Sequence, residues 1–189
     1  CDQVGIGFRA IWKMMIQYSI GVTCFSKKQC LKIQLRYLPT FLSKMGINRT
    51  TATAIRHGPL GMGGMEIFHL ETEQGIQHTK LMLAHLRQND EVGQVMQISI
   101  DHLQLQAGVS WPVLSQPGKQ TRTYVDQCYA SHTWAFLDSI DTHIRFEPDK
   151  WIHPQRHGDS FIMETAANLP DIKPIELVHT QRCRLYLGV

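Results

Sequence analysis

Apolar residues recur at helical spacing along most of the chain, and the clearest run follows Ser26. Ser26 and Gln29 have the spacing of a capping box, and Gly46 is typical of the residue that ends a helix. Steps of four and three separate the apolar positions between them, which are Leu31, Leu35, Leu38, Leu42 and Met45. The pattern predicts an amphipathic helix that buries this stripe and that Pro39 kinks.

Weaker patterns of the same kind continue to the end of the sequence. They predict helices over residues 50–57, 70–87, 91–107, 123–139, 160–169 and 175–187, and a short alternating strand over residues 142–147. We therefore predict a mostly α-helical fold with little β-structure. Residues 110–121 contain Pro112, Pro117 and Gly118, which predicts a linker between two helical parts.

Charge divides the chain more sharply than hydrophobicity does. Residues 1–65 hold 9 basic residues and 1 acidic residue, a net charge of +8, and residues 66–189 hold 10 basic and 15 acidic residues, a net charge of −5. A long stretch of one charge repels itself unless a polyanion or an acidic surface faces it. Nucleic acid is therefore the leading partner for the first third, and a solvated basic face is the alternative. The candidate phosphate contacts are Lys27, Lys28, Lys32, Arg36, Lys44, Arg49 and Arg56.

The composition excludes several other classes of protein. No apolar run approaches the roughly 20 residues that cross a bilayer, and the first residues do not have the pattern of a secretory signal. The five cysteines follow no disulfide or zinc-ligand spacing. We expect an intracellular protein, nuclear or cytoplasmic, with reduced cysteines and no membrane partner.

Motifs for catalysis or metal binding are weak. The glycine-rich residues 58–64 lack the lysine of a phosphate-binding loop and predict a tight turn instead. His153 and His157 are four residues apart, but Pro154 disrupts the helix that would place them on one face for a metal ion. The sequence contains neither a recognisable nucleophile triad nor the paired aspartates of a two-metal site, so we predict no catalytic and no metal-binding residue. Trp111, Trp134 and Trp151 could stack on bases, although tryptophans among apolar neighbours are more typical of a core.

Short motifs are spread over most of the chain. They are FSKKQC (25–30), KMGINR (44–49), GPL (58–60) with GG (63–64), TEQG (72–75), HLR (85–87), GVS (108–110), GDSFIM (158–163) and RCRLYL (182–187). In their order these motifs resemble the region after the catalytic palm in LINE-type (non-long-terminal-repeat) retrotransposon reverse transcriptases. The resemblance is strongest to the elements of diatoms and similar protists.

The resemblance implies a basic, thumb-like helical domain over residues 1–109, the linker 110–121, and a connection-like helical segment over residues 122–189 that is cut before its end. The polymerase aspartates of the family lie upstream, so the chain would be a fragment without a catalytic site or a cofactor of its own. The parent RNA-directed DNA polymerase would use Mg²⁺. The implied partners are an RNA–DNA hybrid or another nucleic acid, bound by the basic first third, and the palm domain of the parent polyprotein.

Two alternatives to a nucleic-acid-binding fragment remain open. In the first, the acidic part of the chain docks on the basic part, or on the rest of the parent enzyme. Glu71, Glu73, Asp101 or Asp126 would then cover the cations. In the second, the chain is a degenerate remnant of such an element and has no activity.

Overall fold

The computed structural model describes residues 2–146 and 158–188. All regular structure in these ranges is helical, which confirms the predicted mainly α-helical fold. The chain divides into two compact units, Cys1–Leu81 and Met82–Val189. Among the described residues, no helix is both long enough and apolar enough to cross a membrane.

The first unit is built around one long helix, α3. Its helices are α1 (Asp2–Gly7), α2 (Met14–Ile20), α3 (Lys27–Lys44), α4 (Thr53–His57) and the first part of α5 (Leu70–Gln88). A π-helical segment, Phe8–Lys13, joins α1 to α2, and a 3₁₀ turn, Leu60–Met62, follows α4. The apolar pattern does not predict the helices before Ser26, but it does predict α3, α4 and α5.

Both ends of α3 are those that the sequence predicts. The backbone N–H of Gln29 donates to Ser26 Oγ over 3.4 Å, and the backbone N–H of Ser26 donates to Gln29 Oε1 over 2.8 Å. These two bonds complete the predicted capping box. At the other end, Gly46 has a φ of 72°, the left-handed conformation that glycine adopts without strain.

The buried stripe of α3 differs from the predicted one. Leu31 and Leu35 are 53% and 61% exposed, so the prediction that they face the core is wrong. The residues that α3 buries are Cys30, Gln34, Tyr37, Leu38 and Leu42. The reason is aromatic packing, because the ring of Phe8 lies 4.7 Å from that of Phe41 and 5.5 Å from that of Phe68. A helix rotated toward these rings turns the Leu31 side to solvent.

Two buried glutamines attach α3 to the start of α5. The side chain of Gln74 accepts from Phe25 N at 3.1 Å and donates to Phe25 O at 3.0 Å. Gln34, on α3, accepts from the backbone N–H of Leu70 at 3.2 Å. These bonds satisfy backbone groups at the beginnings of both helices, where no partner exists within the helix itself. They fix α3 in position against α5.

The second unit contains the remainder of α5, then α6 (Glu91–Ala107), α7 (Tyr129–Ser139), α8 (Ile162–Ala167) and α9 (Pro174–Leu187). A 3₁₀ turn, Thr121–Thr123, precedes α7. Residues 124–128 are not helical, so the helix predicted from residue 123 begins later. Residues 142–146 form no strand, which makes the strand prediction wrong for the part of it that the structure describes.

The predicted linker, residues 110–121, packs into the core of the second unit. Val113 and Leu114 are each 1% exposed and join the hydrophobic cluster around Trp134. Trp134 is itself fully buried, and the Trp111 ring lies 6.0 Å from it, so both side chains belong to the core. Residues 110–121 are therefore packed against the core and are not a solvent-exposed linker. The domain bounds predicted from the sequence stay a prediction.

Gln104 holds the turn that leads out of α6. Its Nε2 donates to Val109 O at 2.7 Å and to Trp111 O at 2.9 Å, and its Oε1 accepts from Val113 N at 2.9 Å. The side chain is 3% exposed, so water cannot replace these three bonds. Gly108 begins the turn in the left-handed conformation, with a φ of 60°.

We expect Gln104→Leu to destabilise the protein by about 2 kcal/mol, because it leaves two buried backbone groups and one half-buried backbone group without this partner. Urea unfolding followed by circular dichroism measures the change. Gln94→Leu is the matched control, since Gln94 is exposed on the same helix. Equal stability of the two variants would contradict this role for Gln104.

Candidate nucleic-acid interface

All seven cations predicted to contact phosphates belong to the first unit. Lys27, Lys28, Lys32, Arg36 and Lys44 lie on α3, Arg49 lies in the turn after it, and Arg56 lies on α4. Helix α3 contains no acidic residue. Lys28, Lys32, Arg36 and Lys44 are exposed, and none of them forms an ion pair with a residue that the structure describes.

Lys28, Lys32 and Arg36 form a ridge along α3, which we call the basic ridge. Each is four residues from the next, so their Cα atoms advance about 6 Å at a time along the helix. Lys27 and Lys28 stand in the first turn, where the helix dipole disfavours cations by roughly 0.3–1 kcal/mol each. An anion bound at this end of α3 would relieve that repulsion.

Lys27 alone among the seven cations is paired with an acid in the part of the chain that the structure describes. Its Nζ lies 3.4 Å from Glu71 Oε1, and the two side chains are 82% and 37% exposed. An ion pair this open to water contributes about 1 kcal/mol at most and is easily exchanged for a phosphate. Lys27 therefore remains available to a ligand.

The other acids that the docking alternative requires bind amides. Glu73 accepts from the side-chain amides of Gln17 at 2.5 Å and Gln77 at 2.7 Å. Asp101 accepts from Gln97 at 2.8 Å, and Asp126 accepts from Gln106 at 2.6 Å. Of the two acids that belong to the first unit, Glu71 contacts a candidate cation and Glu73 is engaged by amides.

Arg49 and Arg56 are held differently from the basic ridge. Arg49 is exposed, and its Nε donates to Ser43 Oγ over 3.2 Å. Arg56 is half-buried, and its Nη2 donates to Thr53 Oγ1 over 3.1 Å. Arg49 can therefore meet a ligand with its charged group, whereas Arg56 is partly enclosed by the unit.

A histidine pair, His57 and His69, lies near the beginning of α3. The two rings are 5.5 Å apart and perpendicular, and His57 Nδ1 donates to the carbonyl of Ile67. Burial lowers the pKa of His69, and the neighbouring His57 lowers it further. Lys27 also lowers this pKa, and Glu71 opposes the effect. Sequence reasoning did not identify this pair, because the two residues are twelve positions apart without a motif.

The second unit contains a small cleft of about 170 Å³, lined by Arg122, Val125, Gln127, Ser131, His132 and Ala135. Arg122 Nη2 lies 2.8 Å from Asp138 Oδ2, and the Asp138 side chain is only 5% exposed, so the arginine charge is already balanced. Ser131 Oγ accepts from Cys128 N at 2.8 Å and donates to its carbonyl at 3.0 Å. This hydroxyl therefore caps α7 and is not set up as a nucleophile beside His132.

Metal-binding geometry is not found in the part of the chain that the structure describes, since no group of three or more His, Cys, Asp or Glu side chains could hold an ion there. His153, His157 and Trp151 lie outside the described residues.

Comparison with protein-family models, with curated proteins and with solved structures finds no match to this chain. The site has to be interpreted from its own geometry.

The first unit should lose stability as the pH falls. The pKa of His69 is lower in the folded state than its ordinary value, so its stabilising effect is complete above about pH 6.5 and is lost as pH falls through the lowered pKa. We expect His69→Gln to reduce the pH dependence of unfolding between about pH 7.5 and pH 5. His102→Gln is the control, because His102 is exposed on α6. If both variants keep the wild-type pH dependence in urea unfolding, His69 is not the responsible group.

Proposed function

We propose that this chain is a non-catalytic fragment of a retrotransposon-type reverse transcriptase whose first unit binds the phosphate backbone of a template–primer duplex. The observation that carries the proposal is the basic ridge with Lys44 on α3, a row of exposed cations on a helix without an acidic residue. Phosphate contacts of this kind fix position on a duplex and do not read its sequence. The palm domain of the parent enzyme is the proposed protein partner.

The distribution of charge supports nucleic acid as the ligand. Residues 1–81 hold 10 basic and 4 acidic residues, a net charge of +6, while residues 82–189 hold 9 basic and 12 acidic residues, a net charge of −3. Within the first unit, Glu71 pairs with Lys27 and Glu73 is bound to two amides. These two acids therefore leave the basic ridge uncompensated, which favours a polyanionic ligand over an internal acidic cover.

Binding should depend steeply on salt. If about six phosphates are neutralised, the logarithm of the binding constant should fall against the logarithm of salt concentration with a slope of about −4 to −5. The triple variant Lys28→Glu, Lys32→Glu, Arg36→Glu should weaken binding to an RNA–DNA hybrid by at least about tenfold and flatten this slope. Fluorescence anisotropy over a series of salt concentrations measures both quantities.

The matched control for this experiment reverses three exposed cations of the second unit, Lys119, Arg145 and Arg182. This control changes the net charge by the same amount. If both triple variants lose the same affinity for the hybrid, the loss reflects total charge and not the basic ridge. Equal affinity of the ridge variant and the wild type, or binding without salt dependence, would contradict the proposal.

We expect this chain alone neither to extend a primer nor to cleave RNA in a hybrid, with or without Mg²⁺. Two-metal phosphoryl transfer needs carboxylates that hold two ions about 3.5–4 Å apart. Two acids of the described chain are already engaged, since Asp138 is paired with Arg122 and Glu73 is bound to amides. Primer extension on gels measures the activity. Extension that is abolished by substituting one acidic residue would reveal a catalytic site and overturn this expectation.

A further inference from the structure

The turn after α4 exposes two large apolar side chains at its tip. Leu60 is 51% exposed and Met62 is 87% exposed, and both belong to the 3₁₀ turn Leu60–Met62. Single exposed apolar residues are common on protein surfaces and need no explanation by themselves. Here the two side chains project from a structured turn.

Hydrogen bonds within the turn and below it keep the tip in place. The N–H groups of Met62 and Gly64 both donate to Pro59 O at 3.0 Å. Below the turn, Met65 N donates to Ile55 O and Glu66 N donates to Gly58 O, each over 2.9 Å. The backbone that carries Leu60 and Met62 is therefore fixed, so little backbone entropy is lost when the two side chains enter a ligand.

Glycines make this element narrow at its tip and tight at its base. A Cβ on Gly64 would lie 2.1 Å from Gly58 O, so the two arms of the turn can meet only because glycine stands there. At the tip, a Cβ on Gly61 or Gly63 would meet nothing within 4 Å. Met62 thus stands between two glycines, and its side chain can enter a groove of a ligand without steric hindrance from its neighbours.

The base of the turn lies at the same end of α3 as the beginning of the basic ridge. The turn follows His57 directly, and the His57 ring lies 5.5 Å from the His69 ring. His69 in turn interacts electrostatically with both Lys27 and Glu71. The base of the turn and Lys27, at the start of α3, therefore lie in the same part of the first unit.

We propose that Leu60 and Met62 form an apolar wedge that enters a base step of a bound duplex from the minor groove while the basic ridge holds the phosphates. The inference rests on the proposed function and deepens it. Leucine and methionine are side chains that proteins insert between base steps to unstack and bend a duplex, whereas binding of single strands relies mainly on aromatic stacking. The exposed cations of α3 in the same unit match a polyanionic duplex in charge.

An anionic lipid surface is the main competing occupant, because an apolar tip on a basic unit also suits a membrane interface. Two features favour the duplex. The tip is narrow, and the basic ridge extends about 12 Å along α3. A ridge of this length matches a row of phosphates on a duplex better than it matches a single point of insertion into a membrane. Binding to duplexes and to vesicles, measured on the same variants, separates the two occupants.

The experiment uses the full chain and an RNA–DNA hybrid and a DNA duplex that carry 2-aminopurine, whose fluorescence rises when its base step is unstacked. We expect the wild type to raise the fluorescence of at least one of the two duplexes. The double variant Leu60→Ala, Met62→Ala should lose most of this rise and bind about tenfold more weakly, with an unchanged salt slope. Met15→Ala, at a residue that is 67% exposed on α2, is the control and should retain the rise.

The possible failures of the two proposals can be told apart. Salt-dependent binding by the wild type without a fluorescence rise on either duplex would overturn the wedge and leave the proposed function standing. Absence of binding to either duplex would overturn both. If phosphatidylserine vesicles bind the wild type but not the double variant, and neither duplex is unstacked, the tip is a lipid-binding element and the wedge is wrong.

Discussion

Aromatic packing around Phe8 determines which side of α3 meets solvent. Phe8 contacts Phe41 and Phe68, and Trp12 packs on Tyr37 with ring centroids 5.8 Å apart. Aromatic side chains bury large areas in few rotamers, so a helix that carries two of them on one side has one favourable rotation. In that rotation the basic residues of α3 face water together with Leu31 and Leu35. A different rotation would bury lysine side chains at a cost that a small unit could not offset.

Amide side chains make many of the contacts that charged pairs make in other helical proteins. Gln34 and Gln74 bind backbone groups of the first unit, and Gln104 binds those of the second. The side chain of Gln106 accepts a hydrogen bond from the backbone N–H of Asp126 at 3.1 Å. Because a neutral amide satisfies a buried backbone group without placing a charge in the core, these contacts leave the surface charge of each unit unchanged. The charged side chains that give the two parts of the chain opposite net charges consequently lie at the surface, where a ligand can contact them.

Elements with local signals could be predicted from the sequence, and elements that depend on distant partners could not. The cap at Ser26, the end at Gly46 and the bounds of α6 follow from residues only a few positions apart. The exposure of Leu31 depends instead on Phe8, and the burial of Val113 depends on Trp134, and neither relation is visible in periodicity. For the candidate site, the sequence identifies the exposed lysines of α3 but not the histidine pair. The alternation of Leu60 and Met62 with glycines was the available signal for the apolar tip.

The motifs that carry the resemblance to reverse transcriptases coincide largely with the residues that shape the fold. Ser26 and Gln29 cap α3, Gly58 and Gly64 close a turn, and Gly108 ends α6. Arg184, from the last motif, donates to Gln106 O over 3.2 Å near that same helix end. Residues with such roles are found in helices and turns of many proteins, so these motifs explain the fold of this chain and do not by themselves indicate a ligand. The exposed cations of α3 favour nucleic acid instead, and two of them, Lys32 and Arg36, lie outside every motif.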